Sequence, residues 1–291
     1  MAADAENVVE QVKERYGKIA EGTLPGCCGT SPCGGGGEGE VAQGIGYAKA
    51  DLEAMPEGVN LGLGCGAPID PLKLQAGEHV LDLGSGAGID VFLAAKRVGP
   101  RGRVIGVEMT PEMLQKARAN AAKLGFTQVE FREGRLERLP VEDASIDAVT
   151  SNCVINLVPD KAAVFREVSR VLRPGGRLVI SDIILDGRLP EAVEKDVYAY
   201  VGCISGAMER SAYFDQLREA GLGEIDVLRD IDYLAAMADA APREVQDLLS
   251  RTGITAGDVT GKVRSVTYRA RKPAPAACCE PSCCSPDTGK R

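Results

Sequence analysis

Cysteine is the residue type in this chain with the most chemistry to offer, because ten cysteines occur in 291 residues. They stand at Cys27, Cys28, Cys33, Cys65, Cys153, Cys203, Cys278, Cys279, Cys283 and Cys284. In a reducing compartment such residues are thiols rather than disulfides, and thiolates are ligands for soft metal or metalloid centres. Cys65, Cys153 and Cys203 are too widely separated for a local zinc motif. A site shared by these three must therefore be assembled by the fold.

The positions of two cysteines favour a role at a ligand site. Cys153 directly follows the fourth predicted strand, at the end of the sheet where ligands bind, and Cys203 lies in the segment after the fifth strand. Cys65 lies in the glycine-rich stretch 62–68. The alternative for each cysteine alone is a small buried apolar residue, and spacing does not decide between the two.

Histidine chemistry is nearly absent, since His79 is the single histidine of the chain. This excludes metal sites built from several histidines, including the facial triad of oxygenases. His79 starts the first predicted strand, at the end of a parallel sheet opposite to the one where ligands bind. We therefore assign it no catalytic role.

A glycine-rich turn forms a candidate ligand site between a predicted strand and a predicted helix. It reads Asp82-Leu-Gly84-Ser-Gly86-Ala-Gly88, and glycines there let the backbone turn sharply and approach a ligand closely. Glu108 ends the next strand, where an acid can accept both hydroxyls of a ribose. A tight turn without a ligand and a nicotinamide dehydrogenase are the alternatives that this pattern alone leaves open.

Strands alternate with helices from residue 79 onward. Predicted strands cover 79–86, 103–109, 129–134, 145–152 and 177–185, and predicted helices cover 88–99, 110–125 and 160–172. This alternation predicts an α/β fold with a mostly parallel sheet. The late segments 224–230 and 263–272 predict two further strands, an antiparallel pair at the sheet edge.

The flanking segments are less regular. Residues 5–16 predict a helix with one apolar face, 22–46 and 56–71 predict loops, and 190–207 and 211–221 predict helices. Residues 273–291 lack apolar periodicity and predict a flexible tail. The clustered cysteines of this tail and of 27–33 could capture a metalloid, cycle as redox thiols or have no function.

Composition excludes several classes of function. A formal net charge of −8 argues against binding to nucleic acid, whose phosphates require clustered Lys and Arg. No apolar run reaches the ~18 residues that a membrane helix needs. The first residues lack the basic and apolar regions of a signal peptide, which predicts a cytoplasmic protein.

The run from 79 to 184 resembles the class I S-adenosylmethionine-dependent methyltransferases, whose glycine turn this chain matches. In that family the turn holds the amino-acid end of S-adenosylmethionine and an acid on the second strand holds its ribose. The resemblance therefore implies that Asp82, Gly84 and Gly86 line the methionine and ribose side. It further implies that Glu108 binds the ribose and that Met109 flanks the adenine.

Two further motifs support this resemblance and argue against a nicotinamide enzyme. The segment GRLERLP at 134–140 matches the adenine-side motif, with Leu136 and Glu137 near the base, and RVLRPGGRLVISD at 170–182 also matches. Asn152, at the end of the fourth strand, would contact the cofactor. The implied cofactor residues are Asp82, Gly84, Ser85, Gly86, Gly88, Glu108, Met109, Gly134, Leu136, Glu137 and Asn152.

The cysteine motifs narrow the resemblance to the arsenite S-adenosylmethionine methyltransferases. The segments GLGCGAP, SNCVINL and YVGCISGA carry it, and it extends over roughly residues 8–272. In that family the cysteines matching Cys65, Cys153 and Cys203 bind trivalent arsenic, As(III). A further cysteine near the N-terminus takes part in the first methylation, and here Cys27, Cys28 and Cys33 are equally placed for that role.

Two departures from the family pattern are visible. Ala67 stands where asparagine is commoner, which puts any contact made by that asparagine in doubt. Glu108 stands where aspartate is commoner. Neither change removes an atom of the type that binds arsenic.

The resemblance implies methylation of As(III) held by cysteine thiolates, giving methylated arsenicals for detoxification. The arsenic lone pair would attack the sulfonium methyl group, so no general base is required. Arsenic becomes pentavalent in this step, and a thiol reductant of the glutathione or thioredoxin type must reduce it before another round. We expect arsenite or thiol-bound As(III) as substrate and a monomer without nucleic-acid or membrane partners. The alternatives are a class I methyltransferase of a quinone-like, sterol-like or other small metabolite, and a non-catalytic metalloid-binding protein.

The expected organisation is a Rossmann-like class I methyltransferase sheet, mostly parallel with an antiparallel edge pair, plus N- and C-terminal substrate-binding segments. Residues 1–75 form the N-terminal helix and the substrate-side segment rich in Cys and Gly, and 76–185 form the S-adenosylmethionine-binding core. Residues 186–272 form the C-terminal substrate-side segment and edge strands, and 273–291 form the tail.

Overall fold

The computed structural model of the protein describes residues 2–24, 26, 38–194, 196, 204, 206–240 and 242–274. The helices before the third strand are α1 (Ala2–Glu21), α2 (Glu38–Ile45), α3 (Lys49–Glu53), α4 (Ile69–Leu72), α5 (Ile89–Val98) and α6 (Pro111–Leu124). The later helices are α7 (Lys161–Val171), α8 (Glu191–Glu194), α9 (Arg210–Glu219), α10 (Tyr233–Ala240), α11 (Pro242–Thr252) and α12 (Ala256–Val259). A 3₁₀ turn covers Ile155–Leu157.

The strands form one sheet. They are β1 (His79–Leu83), β2 (Arg103–Glu108), β3 (Val129–Glu133), β4 (Ile146–Asn152), β5 (Leu172–Leu185), β6 (Met208–Glu209), β7 (Gly223–Asp232) and β8 (Val263–Arg271). Their order is β3-β2-β1-β4-β5-β8-β7, and β6 pairs with the end of β5. The first five strands pair in parallel, whereas β8 is antiparallel to both β5 and β7. The predicted fold class, including the antiparallel edge pair, is confirmed.

The strand order creates a ligand-binding position at the centre of the sheet. From β1 the chain proceeds outward through β2 and β3 and then returns to place β4 on the other side of β1. At such a reversal the connections leave the carboxyl ends of neighbouring strands in opposite directions and open a crevice between them. The turn after β1 and the segment after β4, which begins at Cys153, both start at this crevice.

Alternation along β1 explains how the sheet is covered on both faces. Leu81 and Leu83 pack into one apolar cluster with α7 residues such as Phe165, while Val80 packs into another with Val91 of α5. Successive side chains of a strand point to opposite faces, so three apolar residues of this short strand contribute to two cores. The fully buried side chains on both faces fix β1, and with it the turn that follows.

Local signals fix the ends of the helices that flank the crevice. Helix α6 begins with Pro111 at its first position and ends at Gly125, which has a φ of +69° that few other residues adopt without strain. Asp160 caps α7 by accepting a hydrogen bond from the backbone N–H of Ala163. The predicted ends of α5 and α6 are confirmed to within one or two residues.

Several segments differ from the sequence-based prediction. Helix α2 occupies residues that were predicted as loop, because Ala42 is buried and Ile45 packs against the same apolar cluster. Helices α10 and α11 were not predicted, and β5 begins at Leu172 rather than after the glycines of 173–176. The predicted helix over 190–207 is observed as α8, and its remainder lies mostly outside the described residues, as does 275–291 of the predicted tail.

None of the helices in the described ranges is both long and apolar enough to cross a membrane.

Candidate functional site

A deep cleft lies at the carboxyl ends of β1, β2 and β4, where the strand order predicts a ligand. Its volume is about 1260 Å³, the open mouth included. The predicted cofactor residues that line it are Asp82, Gly84, Ser85, Gly86, Glu108, Met109, Gly134, Leu136, Glu137 and Asn152. Cys153 lines the same cleft. Residues from four separate predicted motifs therefore meet at one site.

The three glycines in the turn after β1 have different surroundings. Gly84 has a φ of +67°, and a Cβ there would lie 2.5 Å from Cγ2 of Val154, so the turn is pressed against the segment that carries Cys153. Gly88 does not line the cleft, and its φ of +99° and close packing on Phe92 let α5 begin there. A Cβ at Gly86 would contact nothing within 4 Å, which leaves open space over the turn for a ligand.

The carboxylate of Glu108 is held at the mouth of this turn by backbone donors. Its Oε2 accepts from the N–H of Gly86 at 3.1 Å, and its Oε1 accepts from Met109 and Thr110 at 2.9 and 2.8 Å. Glu108 is 8% exposed and lines the cleft. The side chain is therefore fixed in one orientation, and one lone-pair site, on Oε2, is left for a hydroxyl-bearing ligand.

Three buried acidic side chains, Asp82, Asp90 and Glu108, line the cleft. Burial raises the pKa of Asp82 well above its usual value, and the nearby charges of Asp90 and Glu108 raise it further. Burial also raises the pKa of Asp90 to about 7, although a hydrogen bond from Tyr47 opposes that shift. Buried carboxylates that repel one another favour a positively charged ligand, which would stabilise their ionised forms.

Tyr47 and Asp90 form a buried pair. The Tyr47 hydroxyl donates to both Asp90 oxygens, at 2.9 and 3.0 Å, and both residues line the cleft. Asp90 stands two residues beyond Gly88, the third glycine of the turn, and was not among the predicted site residues. The contact spans 43 residues, so spacing gave no signal for it.

The N-terminal helix supplies an apolar wall. Val9, Val12 and Tyr16 of α1 line the cleft, and Tyr233 of α10 lines it from the C-terminal part of the chain. These α1 residues are spaced three or four apart, as expected for the apolar face predicted over 5–16. The N- and C-terminal segments therefore help to enclose the cleft.

The two cysteines that the structure describes lie in one apolar cluster beside the cleft. Cys65 is 1% exposed and belongs to this cluster, and Cys153, at the cleft surface, packs against it. Cys153 has a φ of +59°, and its N–H donates to the carbonyl of Ser181 at 2.8 Å. Cys65 does not itself line the cleft, but Gly64 beside it does.

The remaining cysteine predictions lie outside the described residues. These are Cys27, Cys28, Cys33 and Cys203, together with the four cysteines of the tail. Within the part of the chain that the structure describes, no group of three or more His, Cys, Asp or Glu side chains is arranged to hold a metal ion. His79 lies at the amino end of β1, away from the cleft, as predicted.

The Asn152 side chain contacts the Cys65 segment. Its Oδ1 accepts from the N–H of Cys65 at 3.0 Å and of Gly66 at 3.3 Å. Its Nδ2 donates to the Gly66 carbonyl at 2.6 Å and to the Tyr47 hydroxyl at 2.8 Å. Sequence reasoning found Asn152 but not these contacts, which join residues 86 to 105 positions apart.

Comparison with known proteins agrees with this geometry. A family model described as a methyltransferase domain matches residues 74–242. The arsenite methyltransferase of Halobacterium salinarum is 41% identical over 281 residues, which cover 93% of this chain and 68% of that protein. An arsenic(III) S-adenosylmethionine methyltransferase from Chlamydomonas reinhardtii has a solved structure that superposes with a TM-score of 0.63 at 35% identity. That match covers 78% of this chain and 74% of the other.

Shorter matches extend the same relationship. The arsenite methyltransferase of Mus musculus is 37% identical over 172 residues, 56% of this chain. Those residues make up 45% of the mouse protein, so the match spans less than half of that relative. The family match covers more than half of this chain, and the Halobacterium relative aligns over most of it. The chain belongs to the arsenite methyltransferase family, within the methyltransferase-domain proteins.

Proposed function

We propose that this protein transfers a methyl group from S-adenosylmethionine to As(III) held by cysteine thiolates, as part of arsenic detoxification. The observation that carries the proposal is the place of Cys153, which lines the same cleft as Asp82, Gly86 and Glu108. A thiol there stands beside the expected methyl donor. Cys65 lies in the apolar cluster against which Cys153 packs, and its backbone is held by Asn152, the residue before Cys153.

The residues that line the cleft fit the charge and the hydroxyl groups of S-adenosylmethionine. The cofactor carries an ammonium and a sulfonium group, and the buried carboxylates of Asp82 and Asp90 favour a cation. Glu108 would bind the ribose, and Met109 and Leu136 would flank the adenine. When bound, the cofactor supplies an electrophilic methyl group.

The protein's own part is to hold and orient a soft substrate. Trivalent arsenic is thiophilic, and thiolates are its natural ligands. Arsenic held by three sulfurs keeps a lone pair, so the acceptor has no proton that a base must remove. Apolar residues of the cleft such as Leu157 and Val158 exclude water, and the fixed backbone around Cys153 favours positioning as the source of rate enhancement.

The third thiol and the reductant complete the proposal. We assign Cys203 as the third arsenic ligand, because its chain neighbour Ile204 is buried in the cluster that contains Cys65. One of Cys27, Cys28 and Cys33 would take part in the first methylation.

Arsenic becomes pentavalent when it gains the methyl group, so an external thiol of the glutathione or thioredoxin type reduces it before the next round. We place this reaction in the cytoplasm and assign it to a monomer.

An assay of labelled methyl transfer, run with and without arsenite in the presence of glutathione, tests the proposal. We expect consumption of S-adenosylmethionine only when arsenite is present, with the label recovered on arsenic. Turnover that is independent of arsenite would instead identify a methyltransferase of an organic acceptor. Arsenic binding without consumption of the methyl donor would identify a sequestering protein.

Cofactor affinity should rise with pH. The pKa of Asp90 is about 7 in the unliganded protein, and that of Asp82 is also raised. A cationic ligand favours the ionised carboxylates, so below about pH 7 it must first displace a proton. We expect the dissociation constant of S-adenosylmethionine to fall between pH 6 and pH 8, with a net release of protons measured by calorimetry in buffers of different ionisation enthalpy.

The control for this pH dependence is Asp90→Asn, which removes the titrating carboxyl while retaining an amide of similar shape. We expect weaker binding and a flatter pH profile in this variant. A wild-type affinity that does not change between pH 6 and pH 8 would contradict the assignment of the buried carboxylates to the cationic end of the cofactor.

A further inference from the structure

We propose that Asn152 is a positioning residue that sets the place of Cys65 relative to Cys153. The inference rests on the proposed function, in which these two cysteines bind arsenic. Asn152 ends β4, so its backbone leads directly into Cys153, while its side chain holds the backbone of Cys65. One residue thus connects two thiols that are remote in the sequence.

The Cys153 side of this connection is fixed by the sheet. Asn152 pairs with Ser181 in the parallel β4–β5 ladder, and the N–H of Cys153 donates to the Ser181 carbonyl at 2.8 Å. The positive φ of Cys153 is uncommon for a residue other than glycine and directs the chain out of the strand. The position of this thiol is therefore tied to the centre of the sheet.

The Cys65 side is fixed by close packing against Asn152 and its ladder partner Ser181. A Cβ at Gly64 would lie 2.8 Å from Nδ2 of Asn152, and a Cβ at Gly66 would lie 2.7 Å from Cβ of Ser181. Only glycines on both sides of Cys65 allow the backbone to come so near. This approach lets both N–H groups of Cys65 and Gly66 reach Oδ1 of Asn152, and it accounts physically for the Gly-Cys-Gly sequence.

A second anchor acts on the other edge of the same segment. The hydroxyl of Ser265, on β8, donates to the Cys65 carbonyl at 2.6 Å. The Cys65 backbone is thus held by Asn152 through its N–H and by Ser265 through its carbonyl. Both holding residues belong to strands of the central sheet.

Asn152 has no hydrogen-bonding capacity left for a cofactor. An asparagine amide has two donor hydrogens and two acceptor lone pairs. Here Nδ2 donates to the Gly66 carbonyl and the Tyr47 hydroxyl, and Oδ1 accepts from Cys65 and Gly66. The Tyr47 hydroxyl donates its one hydrogen to Asp90, so it can only accept from Asn152. The NH₂ end of the Asn152 amide must therefore face Tyr47. Three of its four hydrogen bonds therefore hold the backbone of the Cys65 segment, although the side chain lines the cofactor cleft.

The test compares Asn152→Ala with wild type by equilibrium dialysis, using arsenite with glutathione in one arm and labelled S-adenosylmethionine in the other. We expect arsenite affinity to fall at least about tenfold, since the part-buried hydrogen bonds to the Cys65 segment are lost, while cofactor affinity stays within about threefold. In turnover, KM for arsenite should rise more than kcat falls. Asn7→Ala, on the exposed face of α1, is the control that should match wild type.

A conservative variant separates positioning from general destabilisation. Asn152→Asp keeps an acceptor for the two N–H groups but places a second oxygen against the Gly66 carbonyl, so we expect intermediate arsenite affinity. If Asn152→Ala does not fold, Ser265→Ala removes the other anchor from outside the cleft lining and should weaken arsenite binding with cofactor affinity unchanged.

Two results would overturn the inference. One is a loss of cofactor affinity in Asn152→Ala as large as the loss of arsenite affinity, which would make Asn152 a cofactor residue. The other is arsenite affinity equal to that of wild type in a folded Asn152→Ala or Ser265→Ala protein. Failure of the proposed function is a separate outcome, because wild type itself would then not bind or methylate arsenite.

Discussion

Replacing Cys153 by serine is expected to reduce arsenite-dependent methyl transfer by at least about a hundredfold, because an un-ionised hydroxyl is a poor ligand for a soft centre. The substitution changes one atom at the cleft surface and leaves the backbone bond to Ser181 intact. Cys65→Ser and Cys203→Ser should show the same loss. The measurement is labelled methyl transfer to arsenite under saturating cofactor.

The control for these cysteine variants is cofactor binding measured on the same preparations. Asp82, Gly86 and Glu108 are unchanged in all three, so S-adenosylmethionine affinity should remain near that of wild type. Arsenite turnover that persists in both Cys153→Ser and Cys203→Ser would refute the thiol mechanism while leaving the cofactor site in place.

Replacing Glu108 by alanine is expected to weaken S-adenosylmethionine binding by about a hundredfold, through the loss of a charged acceptor and of the contacts that order the turn. Three backbone N–H groups, those of Gly86, Met109 and Thr110, lose their common acceptor at once. Equilibrium dialysis with labelled cofactor measures the effect, and the melting temperature without cofactor reports the accompanying loss of stability.

Glu108→Asp is the matched variant, since it keeps the carboxylate and shortens the side chain by one methylene. We expect it to retain cofactor binding to within about tenfold of wild type, with the difference reflecting the reach of the carboxylate to the backbone donors. If Glu108→Ala and wild type bind S-adenosylmethionine with equal affinity, Glu108 does not bind the cofactor.

The parts of the fold that could be predicted are those that short stretches of sequence determine by themselves. The strand and glycine turn from 79 to 88 combine an apolar run, an acid and glycines within ten residues, and the structure places them as expected. Helices α5 and α6 carry their own end signals in Gly99 and in Pro111 with Gly125. The cofactor side of the cleft follows from such local patterns together with the strand order.

The parts that could not be predicted depend on contacts between distant residues. Helix α2 contains Gly39 and Gly44, which weaken helix formation, and forms because Ala42 is buried against the core. The roles of Tyr47, Asp90 and Asn152 arise from partners between 43 and 105 residues away. No local pattern encodes such pairs.

Helix α11 was not predicted, although its sequence carries a helical pattern. Helix α11 has Pro242 at its start and leucines at 248 and 249 that follow Val245 at helical spacing, and Leu248 is buried in the cluster that contains Cys65. Its amphipathic pattern resembles that of α1, which was predicted. The neighbouring helix α10, Tyr233–Ala240, is rich in alanine and lacks a clear polar face, so periodicity gave less guidance there.

The bond between Ser265 and Cys65 has a consequence for how the protein matures on the ribosome. It joins residues 200 positions apart, and its donor lies on β8, the last strand in the part of the chain that the structure describes. The strands that surround the nucleoside position emerge much earlier and pair among themselves. Under the proposed function, the strands around the cofactor can therefore assemble before Ser265 is available to hold the Cys65 backbone, so the cofactor side of the cleft can form earlier than the arsenic side.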